Sequence, residues 1–175
     1  VTLTDVDGDI VHIRISKGAF SAANFVFGPD GSLRKIDLLR DPDFRGASFD
    51  ITAEDGGPGD GLVNVGAIDA TDLDLGKVEV SGNLGQIIVG DGDGKKSAMK
   101  SLTVGSLGTD KPVVQPLVSD FRGALGKLFV TDDVEGAAVT VDGKLGKVTV
   151  GGDLVGDTGA GAVLLATFSN GGSIV

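Results

Sequence analysis

One six-residue phrase constrains this chain more than any other feature. The pattern apolar-x-x-apolar-x-apolar occurs as LRKIDL (Leu33–Leu38), LGKVEV (Leu75–Val80), LGQIIV (Leu84–Val89), MKSLTV (Met99–Val104), LGKLFV (Leu125–Val130) and LGKVTV (Leu145–Val150). Positions four and six have the same parity, so on a strand both face one side and position five faces the other. Position five is Asp37, Glu79, Ile88, Thr103, Phe129 and Thr149, mostly tolerant of water. Position one has the wrong parity to join the inner face, so a bend must separate it from position four. The Gly at position two in four of the copies is expected to supply that bend, through backbone conformations that other residues avoid.

A second phrase alternates with the first, as DFRGASFDI (Asp43–Ile51) and DVEGAAVTV (Asp133–Val141), with Phe49/Ile51 expected to match Val139/Val141. Leu125 and Leu145 are 20 residues apart, room for one coil of two or more short strands. Short strands punctuated by Gly/Asp turns, without helical periodicity, define an all-β fold. A coil-length repeat favours a parallel β-helix, a solenoid in which each coil buries its inner face only by stacking on its neighbours. The alternative is a β-sandwich. Residues 1–30 read as an N-terminal β-hairpin cap, because IVHIRI alternates cleanly and DVDGD resembles a turn. Residues 31–175 read as the solenoid. Its last stretch, GAVLLATFSNGGSIV, reads as a further coil without a polar cap, which points to continuation of the chain or to self-association there.

The same 175 residues include 30 Gly but are 41% hydrophobic, which separates the chain from disordered Gly-rich linkers. The formal net charge of −10 opposes binding to nucleic-acid phosphates and to anionic lipid. No apolar run approaches the ~20 residues of a membrane-spanning helix. With no Cys, neither a disulfide nor a thiolate metal site is possible. The first residue is Val and no secretory leader is legible, so the chain reads as a mature product or a piece of a longer one. Trp and Tyr, the usual platforms of sugar clefts, are absent.

The phrases TDVDGDIVHI, GNLGQIIVGDG and GKLGKVTVGGDL together resemble large bacterial cell-surface and secreted repeat proteins. These are Gly/Asp/Val-rich and Cys-poor, with TDxDGD-type openings followed by LGxVxV coils. The resemblance implies an extracellular or cell-surface location, a structural or adhesive role and contact with cell-surface components. It supplies no catalytic residues.

Candidate chemistry is confined to acids. DVDGD places Asp5, Asp7 and Asp9 with calcium-loop spacing, but Ile10 and Ser16 stand where an EF-hand loop needs Gly and Glu. GGPGDGLVN (Gly56–Asn64) nearly fits a calcium-binding β-roll repeat, with Asp60 one place early and no second copy. DGDG offers Asp91 and Asp93 to a hard cation. Turn formation competes with calcium binding at all three places, since Asp and Gly favour turns on their own account. The single His12 is expected on the outer face with Arg14, opposite Val11, Ile13 and Ile15, and no GxSxG nucleophile motif accompanies it. The clusters Asp69/Asp72/Asp74 and Asp132/Asp133 keep a polysaccharide-processing enzyme as a third reading. Lysines at position three (Lys35, Lys77, Lys127, Lys147) would repel if stacked ~4.8 Å apart, so other residues are expected to separate them.

Overall fold

Leu75, Met99, Leu125 and Leu145 come from four successive passes of the chain and lie side by side in register. The computed structural model describes residues 1–57, 59–109 and 117–155. It is a β-solenoid of about 4 turns, 59% strand and 4% helix.

Three strands precede the coils: β1 (Thr2–Thr4), β2 (Ile10–Ile15) and β3 (Phe25–Phe27). The coils then use β4 (Leu33–Asp37), β5 (Phe49–Glu54), β6 (Val63–Thr71), β7 (Leu75–Gly90), β8 (Ser97–Gly108), β9 (Leu117–Phe121) and β10 (Ala124–Val130). They finish among the described residues with β11 (Val134–Glu135), β12 (Ala137–Val141), β13 (Leu145–Val150) and β14 (Leu154–Val155).

Parallel pairing sorts these strands into walls. The first wall is β5, the start of β7, then β8, β10 and β13. The second is β4, β6, the end of β7, then β9 and β12. A short third wall links them through Asn64, Asn83 and Ser106 and through Leu107, Val134 and Leu154. β7 is long because it turns through all three walls, its register on β8 shifting at the corner between Val80 and Asn83. The opening residues add an antiparallel strand to each long wall: the β1–β2 hairpin lies on β5, and β3 lies on β4. Both outer edges of the first coil are thereby paired, which removes a template for edge-to-edge aggregation.

The inside–outside alternation read from the phrase is present. Positions one and four are buried in all six copies, while position five is half-buried or exposed. Each fully buried Val, Leu or Ile contributes ~1.5–3 kcal/mol. The rows of Val78, Leu102, Leu128 and Val148 and of Ile36, Ile68 and Ile87 make one continuous core.

The structure corrects three expectations. First, the six copies do not share a wall. LGKVEV, MKSLTV, LGKLFV and LGKVTV stack on the first wall, whereas LRKIDL and LGQIIV flank β6 on the second, level with VGAIDA (Val65–Ala70), a degenerate copy of the same phrase. Second, Phe49/Ile51 pair with Val78/Val80 on the first wall and Val139/Val141 with Ser119/Phe121 on the second, so the second phrase is not one structural position. Third, the position-two glycines are not needed for unusual dihedrals. Gly76, Gly85, Gly126 and Gly146 all lie outside the left-handed region. A Cβ on Gly146 would instead strike the carbonyl oxygen of Gly126, and one on Gly126 that of Lys100. The preceding strand lies too close for a Cβ at Gly126 and Gly146, whereas Lys100 on the same wall and Arg34 on the second take side chains at position two. The expected final coil and most of the Thr109–Pro116 loop lie outside the described residues.

Candidate functional site

The DVDGD turn and the EDGGPGDG loop, about fifty positions apart in the chain, form one site. β2 pairs with β5 antiparallel, Ile10 with Glu54, and this register sets the turn before β2 beside the loop after β5. Asp5 Oδ1 accepts from the Gly8 and Asp9 backbone N–H groups at 3.2 and 3.0 Å, closing the turn. Asp9 is fully buried. Its two carboxylate oxygens accept from the N–H of Gly56 at 2.9 Å and of Gly61 at 2.7 Å. Gly59 rests against the same carboxylate with no space for a Cβ. The glycines of this loop therefore wrap Asp9, a role that no local reading of either segment reveals.

Asp5, Asp7 and Asp9 each bring a carboxylate oxygen within 4.8 Å of the others. Burial, followed by a hydrogen bond with Asp7, pushes the Asp5 carboxyl up to about 6. The same hydrogen bond with Asp5 holds Asp7 below the ordinary carboxylate value. Asp60 comes near with its backbone, whose N–H helps to lower the Asp7 carboxyl, while its own carboxylate caps the Leu62 N–H at 2.9 Å. An all-oxygen set of this kind suits a hard cation. However, Asp9 would have to share oxygens already engaged by two amides.

Asp91 and Asp93 lie at a different corner and are neutralised there. Lys96 reaches Asp91 at 3.7 Å and Asp93 at 3.1 Å, and Arg45 reaches Asp91 at 3.6 Å. They do not join Asp5, Asp7 and Asp9, because the adjacent KK of the sequence folds back over the DGDG turn.

The other acids are dispersed as well. Asp69 accepts from the Thr71 hydroxyl at 2.7 Å and lies 3.8 Å from Lys35, Asp72 pairs with Arg40 at 3.4 Å, and Asp133 caps the Asp153 N–H. Asp74 accepts from the Asp91 N–H at 3.3 Å, and burial raises its pKa. His12 is half-buried rather than exposed, within a row across β1, β2 and β5. Its Nδ1 lies 3.2 Å from the Thr2 hydroxyl and its Nε2 3.4 Å from Glu54. Thr2 pairs directly with His12, so these contacts follow from cross-strand register.

Position-three lysines also differ from expectation. Lys35 sits on the second wall, bound to Asp37 at 2.6 Å and near Asp69. On the first wall Ser101 separates Lys77 from Lys127, but Lys127 and Lys147 are direct neighbours.

No family model matches this chain, and no curated protein or solved structure is similar to it.

Proposed function

We propose that this chain is a non-enzymatic extracellular β-solenoid segment, serving as a structural scaffold or adhesive surface within a larger bacterial surface protein. The continuous core rows carry this reading: a stack of coils is a stiff rod whose length grows by adding coils, which suits a spacer. The use of polar groups supports it further. Among the described residues, no buried side-chain nitrogen or oxygen lacks a hydrogen bond. The Asp carboxylates cap turns or meet Lys and Arg. Protease shaving of intact source cells, followed by detection of this segment, tests the location. Release from intact cells is expected, and recovery only from the cytosol would overturn the reading.

The cluster of Asp5, Asp7 and Asp9 favours a second reading, a calcium-dependent module of the same fold. Calcium bound to the native state alone must raise Tm, by RT ln(1 + [L]/Kd) in free energy. Melting in calcium and in chelator gives the answer, and identical curves remove this reading.

A further inference from the structure

The first wall presents an outward strip whose charge is opposite to that of the chain as a whole. Lys77, Ser101, Lys127 and Lys147 occupy successive strands in register, and so do Glu79, Thr103, Phe129 and Thr149 beside them. The three lysines are exposed. No ion pair among the described residues engages any of them, as is also true of Lys17, Lys95, Lys100 and Lys144; what sets the three apart is their register on one wall. Lys127 Nζ instead stands over the Phe129 ring, 4.9 Å from its centroid. Two stacked ammonium groups ~4.8 Å apart repel each other. In a chain of net charge −10, cations gathered in register on one wall make a local patch that attracts anions.

We propose that this strip binds a linear acidic polysaccharide, running along the solenoid axis with its carboxylates on Lys127, Lys147 and Lys77. A single glycan chain is narrow enough to follow one row, leaving Asp50 and Glu79 at its β5/β7 end to one side. A nucleic acid or an anionic membrane covers a wider area of a chain whose net charge is −10 and is repelled by it. The half-buried Phe129 ring, with Lys127 Nζ over it, adds apolar surface on which a sugar ring can pack once the ammonium swings aside. The hydroxyls of Ser101, Thr103 and Thr149 on the same strip can exchange hydrogen bonds with sugar hydroxyls. Lys127, displaced from over the ring, then meets the carboxylate of the sugar packed there. The inference names a partner for the adhesive form of the proposed function and rests on that reading only for access to extracellular glycans.

The test is a binding titration of the 175-residue chain with oligogalacturonate, with uncharged dextran, polyglutamate and single-stranded DNA as competitors at low and high salt. Oligogalacturonate is expected to bind at low salt and weaken as salt screens it. Lys127→Gln with Lys147→Gln is expected to weaken it by about tenfold or more, Phe129→Ala to weaken it several-fold, and the distant Lys95→Gln to leave it unchanged. These side chains point outward, so the melting curves should stay those of the parent. Absence of binding at low salt overturns the proposal, as does a loss with Lys95→Gln equal to that of the double variant. Tighter binding of polyglutamate, indifferent to Phe129→Ala, also overturns it and marks the strip as a site for acidic peptides. Failure of glycan binding in a chain that is still released from intact cells leaves the scaffold reading standing.

Discussion

Gly146 lies directly against the carbonyl oxygen of Gly126, its counterpart one coil earlier, so closely that a Cβ at 146 would overlap that oxygen. This contact sets how the coils stack on the first wall. Gly146→Ala should force the strands apart and cost about 1–3 kcal/mol, as overpacking does. Lys147→Ala, one residue on and exposed, should change stability by no more than about 0.5 kcal/mol. Urea unfolding compares the two. A Gly146→Ala variant more stable than its parent would show that the glycine serves only chain flexibility.

The same wall predicts opposite outcomes at adjacent positions. Val148 is 7% exposed and in register with Leu128, while Thr149 is turned outward beside Phe129. Val148→Asp should cost several kcal/mol, because a carboxylate would be buried without a partner. Thr149→Asp should retain the parent's cooperative unfolding. Equal melting temperatures for the two variants would contradict the inside–outside assignment.

Asp9 holds two loops together. Asp9→Ala removes the acceptor of the part-buried hydrogen bonds from the Gly56 and Gly61 N–H groups, at about 1–3 kcal/mol in total, since water can reach the exposed Gly56. Limited proteolysis should then cut first within the loop at residues 54–61, ahead of any cut in the coils. Asp9→Asn keeps one acceptor oxygen and should be intermediate. A cleavage pattern identical to the parent's would mean that the loop is fixed by something other than Asp9.

Asp74 carries a pH prediction. Burial raises its pKa above the ordinary 3.8, and the nearby Asp91 charge adds to this. A carboxyl raised on folding contributes stability that is fully present below its unfolded pKa and is lost as pH rises through the folded pKa. Asp74→Asn removes the charge while keeping an acceptor for the Asp91 N–H. It should therefore raise Tm at pH 7 and have little effect at pH values below 3.8, with the gain developing between the two pKa values. Thermal melts across that range decide it, and a gain confined to acid would reverse the sign.

The acid cluster shows where local reading ends. Asp5, Asp7 and Asp9 are neighbours in sequence, so their meeting was legible from DVDGD alone. Asp60 entered as a near-miss of a repeat motif. Its loop does reach the cluster, but by backbone N–H groups rather than by its carboxylate. Asp91 and Asp93 have the same local chemistry and a different fate, because Arg45, forty-six positions earlier, and the adjacent Lys96 neutralise them. Nothing within DGDG announces Arg45.

The sequence by itself determined the period-two alternation of each strand, the small residue at position two, and hence an all-β solenoid with Val, Leu and Ile inside. These depend only on the next few residues along the chain, where parity and backbone geometry act. Only the tertiary structure decided which wall each copy of the phrase occupies, that Gly146 serves close stacking rather than a bend, and that Lys127 and Lys147 stand unpaired side by side. Those outcomes depend on which strand lies one coil away. Because insertions at the corners make the coils unequal in length, that neighbour cannot be counted out along the sequence.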